Sequence, residues 1–314
     1  LENEVTEYSK TRKHPNLKGM VIPEAVKFTS KIEEACLDKD IIIFAVPSVY
    51  TRASARAAAP YIKNGQIVVD VAKGIEPDTL MTLTEVIQDE VSRQQSGKKL
   101  KLVALSGPTH AEEVALDLPT AIVSACEDME TAEFVQDIFM NTCMRVYTNP
   151  DVKGVELCGA MKNIVALAAG ISNGLGYGDN AKAALITRGM AEIRRLGVKM
   201  GCKERTFSGL AGIGDLIVTA TSIHSRNNRA GSLIGRGLSP EEAEKQVGMV
   251  VEGMNALPAA MALSKIYEVE LPIISAVNQI ITENAAPAEI VRQLMQRVKQ
   301  SELSRKAIDF DIDM

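Results

Sequence analysis

One lysine stands in the middle of an otherwise apolar run, Val155-Glu156-Leu157-Cys158-Gly159-Ala160-Met161-Lys162-Asn163, and it is the side chain in this sequence best placed for acid–base chemistry. From Gly154 to Ile171 the only charged side chains are Glu156 and Lys162, and the remainder reads as a helix buried on most sides. Burial disfavours an ammonium and lowers its pKa, which is what proton transfer near neutrality requires. On helical spacing, Cys158, Gly159, Val165 and Ala166 flank Lys162, and these mostly small side chains leave room for a ligand beside the amine. A lysine whose stem lies in the core while its ammonium reaches the helix edge fits the same pattern. The helix by itself leaves both readings open.

Three further stretches carry polar groups at turns. Val71-Ala72-Lys73-Gly74-Ile75-Glu76 delivers a lysine to the end of a predicted strand, and Ser106-Gly107-Pro108-Thr109-His110-Ala111-Glu112-Glu113 exposes backbone groups before a helix start. Ser222-Ile223-His224-Ser225-Arg226-Asn227-Asn228-Arg229 combines hydroxyls, amides and two arginines suited to gripping an anion. Each is also readable as a solvated turn. The glycine clusters Gly174-Leu-Gly176-Tyr-Gly178 and Gly212-Ile-Gly214-Asp215 do not complete GxGxxG, because Asp179 and Ile217 fall where the third glycine belongs. Neither follows a predicted strand, so both read as helix ends and close-packing points.

These groups need a scaffold, and the first half of the chain supplies an alternating one. Strands are predicted at Val26 to Thr29, Asp40 to Val46, Gln66 to Ala72, Lys101 to Leu105 and Ala121 to Ala125, with helices at Ile32 to Leu37, Tyr50 to Ile62 and Thr79 to Gln94. Short apolar strands separated by helices predict a largely parallel α/β sheet, and ligands gather at the carboxyl ends of such strands. After about Pro150 the pattern changes to long helices. The expected division is therefore 1–150 and 151–314.

Composition narrows the class. The chain has 314 residues, enough for two domains, with 13 Met and no Trp. A net charge of −5 offers no electrostatic footprint for nucleic acid. Five cysteines (Cys36, Cys126, Cys143, Cys158, Cys202), without CxxC spacing, fit reduced thiols of a cytoplasmic protein. The histidines His14, His110 and His224 are too scattered in sequence to suggest a metal site. No uncharged apolar run reaches the roughly 18 residues of a spanning helix, so membrane insertion is not expected.

Taken together, the chain resembles the bacterial NAD(P)-dependent sn-glycerol-3-phosphate dehydrogenases. The resemblance rests on Ala45-Val46-Pro47-Ser48, Ala72-Lys73-Gly74-Ile75-Glu76-Pro77, Leu105-Ser106-Gly107-Pro108-Thr109, Gly159-Ala160-Met161-Lys162-Asn163, Gly174 to Arg188, Leu210 to Leu216, Ser225-Arg226-Asn227 and Met249-Val-Val-Glu-Gly253. It implies a Rossmann-like parallel-sheet N-terminal domain, an all-helical C-terminal domain and a site between them. The implied reaction is hydride transfer between NAD or NADP and C2 of a small phosphorylated substrate, dihydroxyacetone phosphate, giving sn-glycerol 3-phosphate for phospholipid synthesis. Lys162 matches the family's proton-transfer lysine, Lys73 its second site lysine, and Asp215 the residue that orients both. Gly107, Thr109, Ser225, Arg226 and Asn227 match substrate contacts, with Arg226 and Asn227 on the phosphate. Lys73, Ala111, Arg226, Val250 and Glu252 match cofactor contacts. A homodimer is the family's usual state. The family also has a strand, a GxGxxG turn, a helix and a second strand ahead of the segment that Leu1 begins, so a polypeptide starting at Leu1 is expected to bind the dinucleotide poorly. The alternatives are an inactive anion-binding or dimerising chain and a related hydroxyacid dehydrogenase.

Overall fold

The computed structural model of the chain describes residues 2–298 except 15, 16, 18, 141 and 142; positions 299–314 of the expected second domain lie outside the described residues. A five-stranded sheet runs in the order β1 (Ile41–Phe44), β2 (Ile67–Asp70), β3 (Lys101–Ser106), β4 (Thr120–Ala125), β5 (Met144–Asn149). β1, β2 and β3 are mutually parallel, as are β4 and β5, whereas β3 and β4 are antiparallel. The reversal has a simple cause. A parallel return usually runs through a full-length crossover helix, and between β3 and β4 only the four-residue α5 (Ala111–Val114) forms. β5 was not among the expected strands.

Alternation within the strands covers both faces of the sheet. Ile42, Phe44 and Val68 pack with Ala55, Ala58, Ile87 and Val91, which come from α3 (Thr51–Ala58) and α4 (Leu83–Gln94). Val69, Val103, Ile122 and Val146 pack instead with Ala132 and Val135 of α6 (Met129–Phe139). α4 starts at Leu83, later than the predicted Thr79, because the Glu85 carboxylate accepts the Thr82 N–H at 2.9 Å and fixes the helix start there.

Ahead of the sheet lie α1 (Glu2–Thr11) and α2 (Ile32–Cys36). The expected strand at Val26 to Thr29 does not form. The guanidinium of Arg12 donates to the carbonyls of Pro23, Glu24 and Val26 at 3.3, 3.2 and 2.6 Å, so side-chain bonds take the place of a ladder.

Beyond β5 the described residues are helical. α7 (Val152–Gly174) is the central rod, buried along nearly its whole length. It is long and apolar enough to cross a membrane, yet its most apolar stretch is entirely enclosed by protein. Around it lie α8 (Asp179–Lys199), α9 (Glu204–Phe207), α10 (Asp215–Thr221), α11 (Arg226–Gly235), α12 (Pro240–Val247), α13 (Glu252–Asn255), α14 (Leu257–Ile266), α15 (Pro272–Thr282) and α16 (Pro287–Met295). α7 and α11 cross with their backbones in contact: Cβ atoms added at Gly170 or Gly231 would overlap the carbonyl oxygens of Asn228 or Leu167. The Gly174 to Gly178 cluster thus marks a helix end and a packing point, as its sequence suggests.

Candidate active site

The sheet and the helices meet at a cleft of about 370 Å³, where the loops after β1 and β2 face α7, α10 and α11. Lys73 follows β2 by three residues. Its ammonium donates to the Gly107 carbonyl at 3.0 Å and to Asp215 Oδ2 at 2.7 Å. Lys162 is 3 % exposed, its ammonium 3.0 Å from Asp215 Oδ1 and 2.6 Å from Thr219 Oγ1. The Thr219 hydroxyl in turn donates to the Asp215 carbonyl at 2.7 Å, so it receives the lysine proton as acceptor. A π-helical turn at Leu210–Gly214 leads directly into Asp215 and sets the carboxylate between the two lysines. An ammonium has three N–H bonds. Each lysine therefore commits two and keeps one for the cleft.

Charge sharing tunes this triad. Burial lowers the pKa of Lys162; Asp215 opposes the shift, the nearby charge of Lys73 reinforces it, and the result is about 8. Burial pushes the Asp215 carboxyl upward, but the two ammonium groups outweigh it and hold it below the ordinary range. The side chains that compose the triad come from β2's loop, α7 and α10, so none is local in sequence to another. Gly159 stands one turn before Lys162, and a Cβ there would lie 3.3 Å from Lys73 Cγ; a small residue gives Lys73 its path.

Thr109, Ser225, Arg226, Asn227, Val250 and Glu252 line the same cleft. Several are already engaged. The Ser225 hydroxyl caps α11 by accepting the Asn228 N–H at 3.2 Å, and Glu252 accepts the Ser48 N–H and hydroxyl at 3.1 and 2.5 Å. Asn227 donates to Asn163 Oδ1 at 3.0 Å and accepts from the Gly253 N–H at 2.8 Å, so its side-chain amide braces the site. Gly107 stands behind Lys73. Ala111 is exposed at the first position of α5 and outside the lining, whereas its neighbour His110 is part of it. Among the described residues no group of three or more His, Cys, Asp or Glu is placed to hold a metal ion. A larger groove of about 990 Å³, lined mainly by α8, α15 and α16, contains none of these residues.

Sequence reasoning passed over Thr219, Asn163, His110 and His224 as site residues. Thr219 was findable, since it lies four positions after Asp215 and hence on the same helical face. His110 and His224 were not, because their pairing depends on how the two halves of the chain meet.

A sheet whose strand ends open onto a cleft, closed by a helical domain that contributes a buried lysine, is the architecture of a dinucleotide-dependent dehydrogenase. Residues 1–132 match the family described as NAD-dependent glycerol-3-phosphate dehydrogenase N-terminus, and residues 151–292 match its C-terminus. The chain belongs to this family. It is 64 % identical over 305 residues to glycerol-3-phosphate dehydrogenase [NAD(P)+] 2 of Lactobacillus delbrueckii subsp. bulgaricus, covering 97 % of this chain and 90 % of that protein. It is 50 % identical to the glycerol-3-phosphate dehydrogenase [NAD(P)+] of Bacillus subtilis, over 92 % of this chain and 82 % of that one. Its fold matches the crystal structure of glycerol-3-phosphate dehydrogenase from Coxiella burnetii with a TM-score of 0.88 at 33 % identity, over 94 % and 89 % of the two chains. The N-terminal domain is accordingly Rossmann-like and the C-terminal domain helical.

Proposed function

We propose that the chain interconverts dihydroxyacetone phosphate and sn-glycerol 3-phosphate with NAD or NADP. The observation that carries this reading is the Lys162–Asp215–Lys73 triad at the meeting of the two domains, with Lys162 and Asp215 buried, Lys73 partly exposed to the cleft and one N–H of each lysine uncommitted. When bound, the nicotinamide supplies or accepts the hydride. Its flat ring suits the apolar wall of Ala45, Val46, Pro47 and Val71 at the ends of β1 and β2, and Val250 lines the same cleft.

The protein's part is to position the substrate and move a proton. Lys162 gives a proton to the oxygen on C2 as it becomes an alkoxide during reduction, and takes it back during oxidation. Lys73 donates to the same oxygen. Asp215 holds both ammonium groups in register and balances one of the two charges. Arg226 opens α11, where the N–H groups of Arg226 and Asn227 have no intrahelical acceptor, so a guanidinium and a helix N-terminus meet the phosphate together. Thr109 and Gly107 flank the carbonyl end, and Ser225 and Asn227 fix the start of α11. Lys73, Arg226, Val250 and Glu252 border the cofactor.

In this reading the two domains are 1–150 and 151–314, which puts the division between β5 and α7. The chain acts as a cytoplasmic homodimer and supplies glycerol 3-phosphate to phospholipid synthesis. Loss of NADH or NADPH absorbance on adding dihydroxyacetone phosphate tests the function. A rate with this substrate well above that with 2-ketoacids supports it, and the reverse order rejects it in favour of a hydroxyacid dehydrogenase.

A further inference from the structure

His110 and His224 reach the cleft from opposite domains. His110 precedes α5 in the loop after β3, and His224 lies two residues before Arg226 in the loop that leads into α11. Their rings are 6.0 Å apart between centroids and inclined at 57°. Both line the site cleft; His110 is half-buried and His224 exposed. An oxygen accepting from one N–H of each ring at about 2.9 Å would span that gap.

The charges of the cleft point to what such an oxygen belongs to. Lys73, Lys162 and Arg226 face Asp215 and Glu252, so three cations against two carboxylates leave one net positive charge while both imidazoles are neutral. A phosphate monoester carries about −1.5 to −2 near pH 7. Both lysines are bound to Asp215, which leaves Arg226 and about one charge still to be supplied. The imidazoles are the remaining titratable groups of the lining.

We propose that His110 and His224 form a two-imidazole clasp, one ring from each domain, that donates to the phosphate of the substrate beside Arg226 and selects phosphorylated over unphosphorylated substrates. The clasp rests on the function proposed above and adds its specificity element. Burial lowers the pKa of His110 and Lys162 on α7 acts in the same direction, while the Val218 carbonyl and the carboxylates of Glu112 and Glu113 oppose it. The ring is thus neutral in the free cleft and gains a proton as the dianion arrives. Arg226 on α11 and Glu252 on α13 are the other charged groups near the pair.

The full chain with His110→Phe and His224→Phe tests this, because phenyl rings keep an aromatic pair but cannot donate. The ratio of kcat/KM for dihydroxyacetone phosphate to that for unphosphorylated dihydroxyacetone should fall by about tenfold or more, the scale of a charge-assisted hydrogen bond. In the wild type, KM for dihydroxyacetone phosphate should rise with pH as the His110 imidazole of the complex loses its charge, and this slope should flatten in the double variant. Should the double variant fail to fold, the single variant His224→Phe at the exposed ring should lower the same ratio, by less than the pair. An unchanged ratio and an unchanged pH slope in active protein overturn the clasp alone. Wild-type protein inactive with dihydroxyacetone phosphate overturns the proposed function as well.

Discussion

Asn163 and Asn227 are joined side chain to side chain at 3.0 Å, and each is the residue immediately after a residue of the site, Lys162 on α7 and Arg226 on α11. The bond locks the register of two helices whose backbones already touch. It thereby fixes the distance between Lys162 and Arg226. Asn227 also accepts the Gly253 N–H at 2.8 Å, which ties in the loop that carries Glu252. Asn227→Ala should therefore leave buried partners unsatisfied, costing about 1–3 kcal/mol of stability. It should also raise KM for dihydroxyacetone phosphate at a temperature where the variant remains folded. Denaturant unfolding and steady-state kinetics measure the two effects, and a stability loss with unaltered KM would reduce Asn227 to a packing residue.

Lys162→Met fills a similar volume on an apolar helix, so the fold should be kept while turnover falls by roughly 10² to 10⁴, the range for losing a general acid or base. Circular dichroism and kcat check this together. Near-normal turnover would make Lys162 structural.

Arg226→Ala should weaken use of dihydroxyacetone phosphate far more than use of dihydroxyacetone, because only the first loses a charge-assisted pair. The comparison is of kcat/KM values. Equal losses on both substrates would reject the phosphate role.

Glu156 joins the two domains at the rear of α7, accepting the Thr84 N–H at 2.9 Å and the Thr84 hydroxyl at 2.6 Å at the start of α4. Burial raises its pKa to about 7, and the Thr84 bonds oppose the shift. In the unfolded chain it titrates near 4.3. Between about pH 4.5 and about pH 7 the folded state keeps a proton the unfolded state has lost, so stability falls as pH rises through this window. Glu156→Gln retains an acceptor for the Thr84 N–H and cannot ionise. Its melting temperature relative to wild type should climb by a few degrees, roughly 3 to 6 °C, from about pH 4.5 to about pH 7. A flat or falling difference would show that Glu156 is charged in the folded protein.

Much of this site was legible in the sequence because its parts sit at element ends. Lys73 follows an apolar strand and Lys162 interrupts an apolar helix, positions that periodicity reports, while Arg226 stands out by the hydroxyls and amides around it. Asn227 and Glu252 were named through the family resemblance but not in their bonds, since Asn163, Gly253 and Ser48 lie far off in the chain. The same holds for the sheet. β2 and β3 carry the apolar runs Ile67-Val68-Val69 and Leu102-Val103-Ala104-Leu105, whereas β5 reads Met-Arg-Val-Tyr-Thr-Asn, with Arg145 and Tyr147 exposed, and announces itself only through pairing with β4. The segment at Val26 to Thr29 has strand-like composition, and only the distant Arg12 decides that it is not one.

In the proposed reaction Lys162 carries the proton, and burial and Lys73 lower its pKa to about 8 against the pull of Asp215. The most direct measurement is kcat/KM against pH in both directions, which reports the free protein's essential groups. Reduction of dihydroxyacetone phosphate needs the protonated amine and should fall as pH rises through about 8. Oxidation of glycerol 3-phosphate needs the free amine and should rise through the same value. Opposed limbs that share this midpoint are the predicted result, and limbs running the same way, or no titration between about pH 7 and about pH 9, would contradict the account.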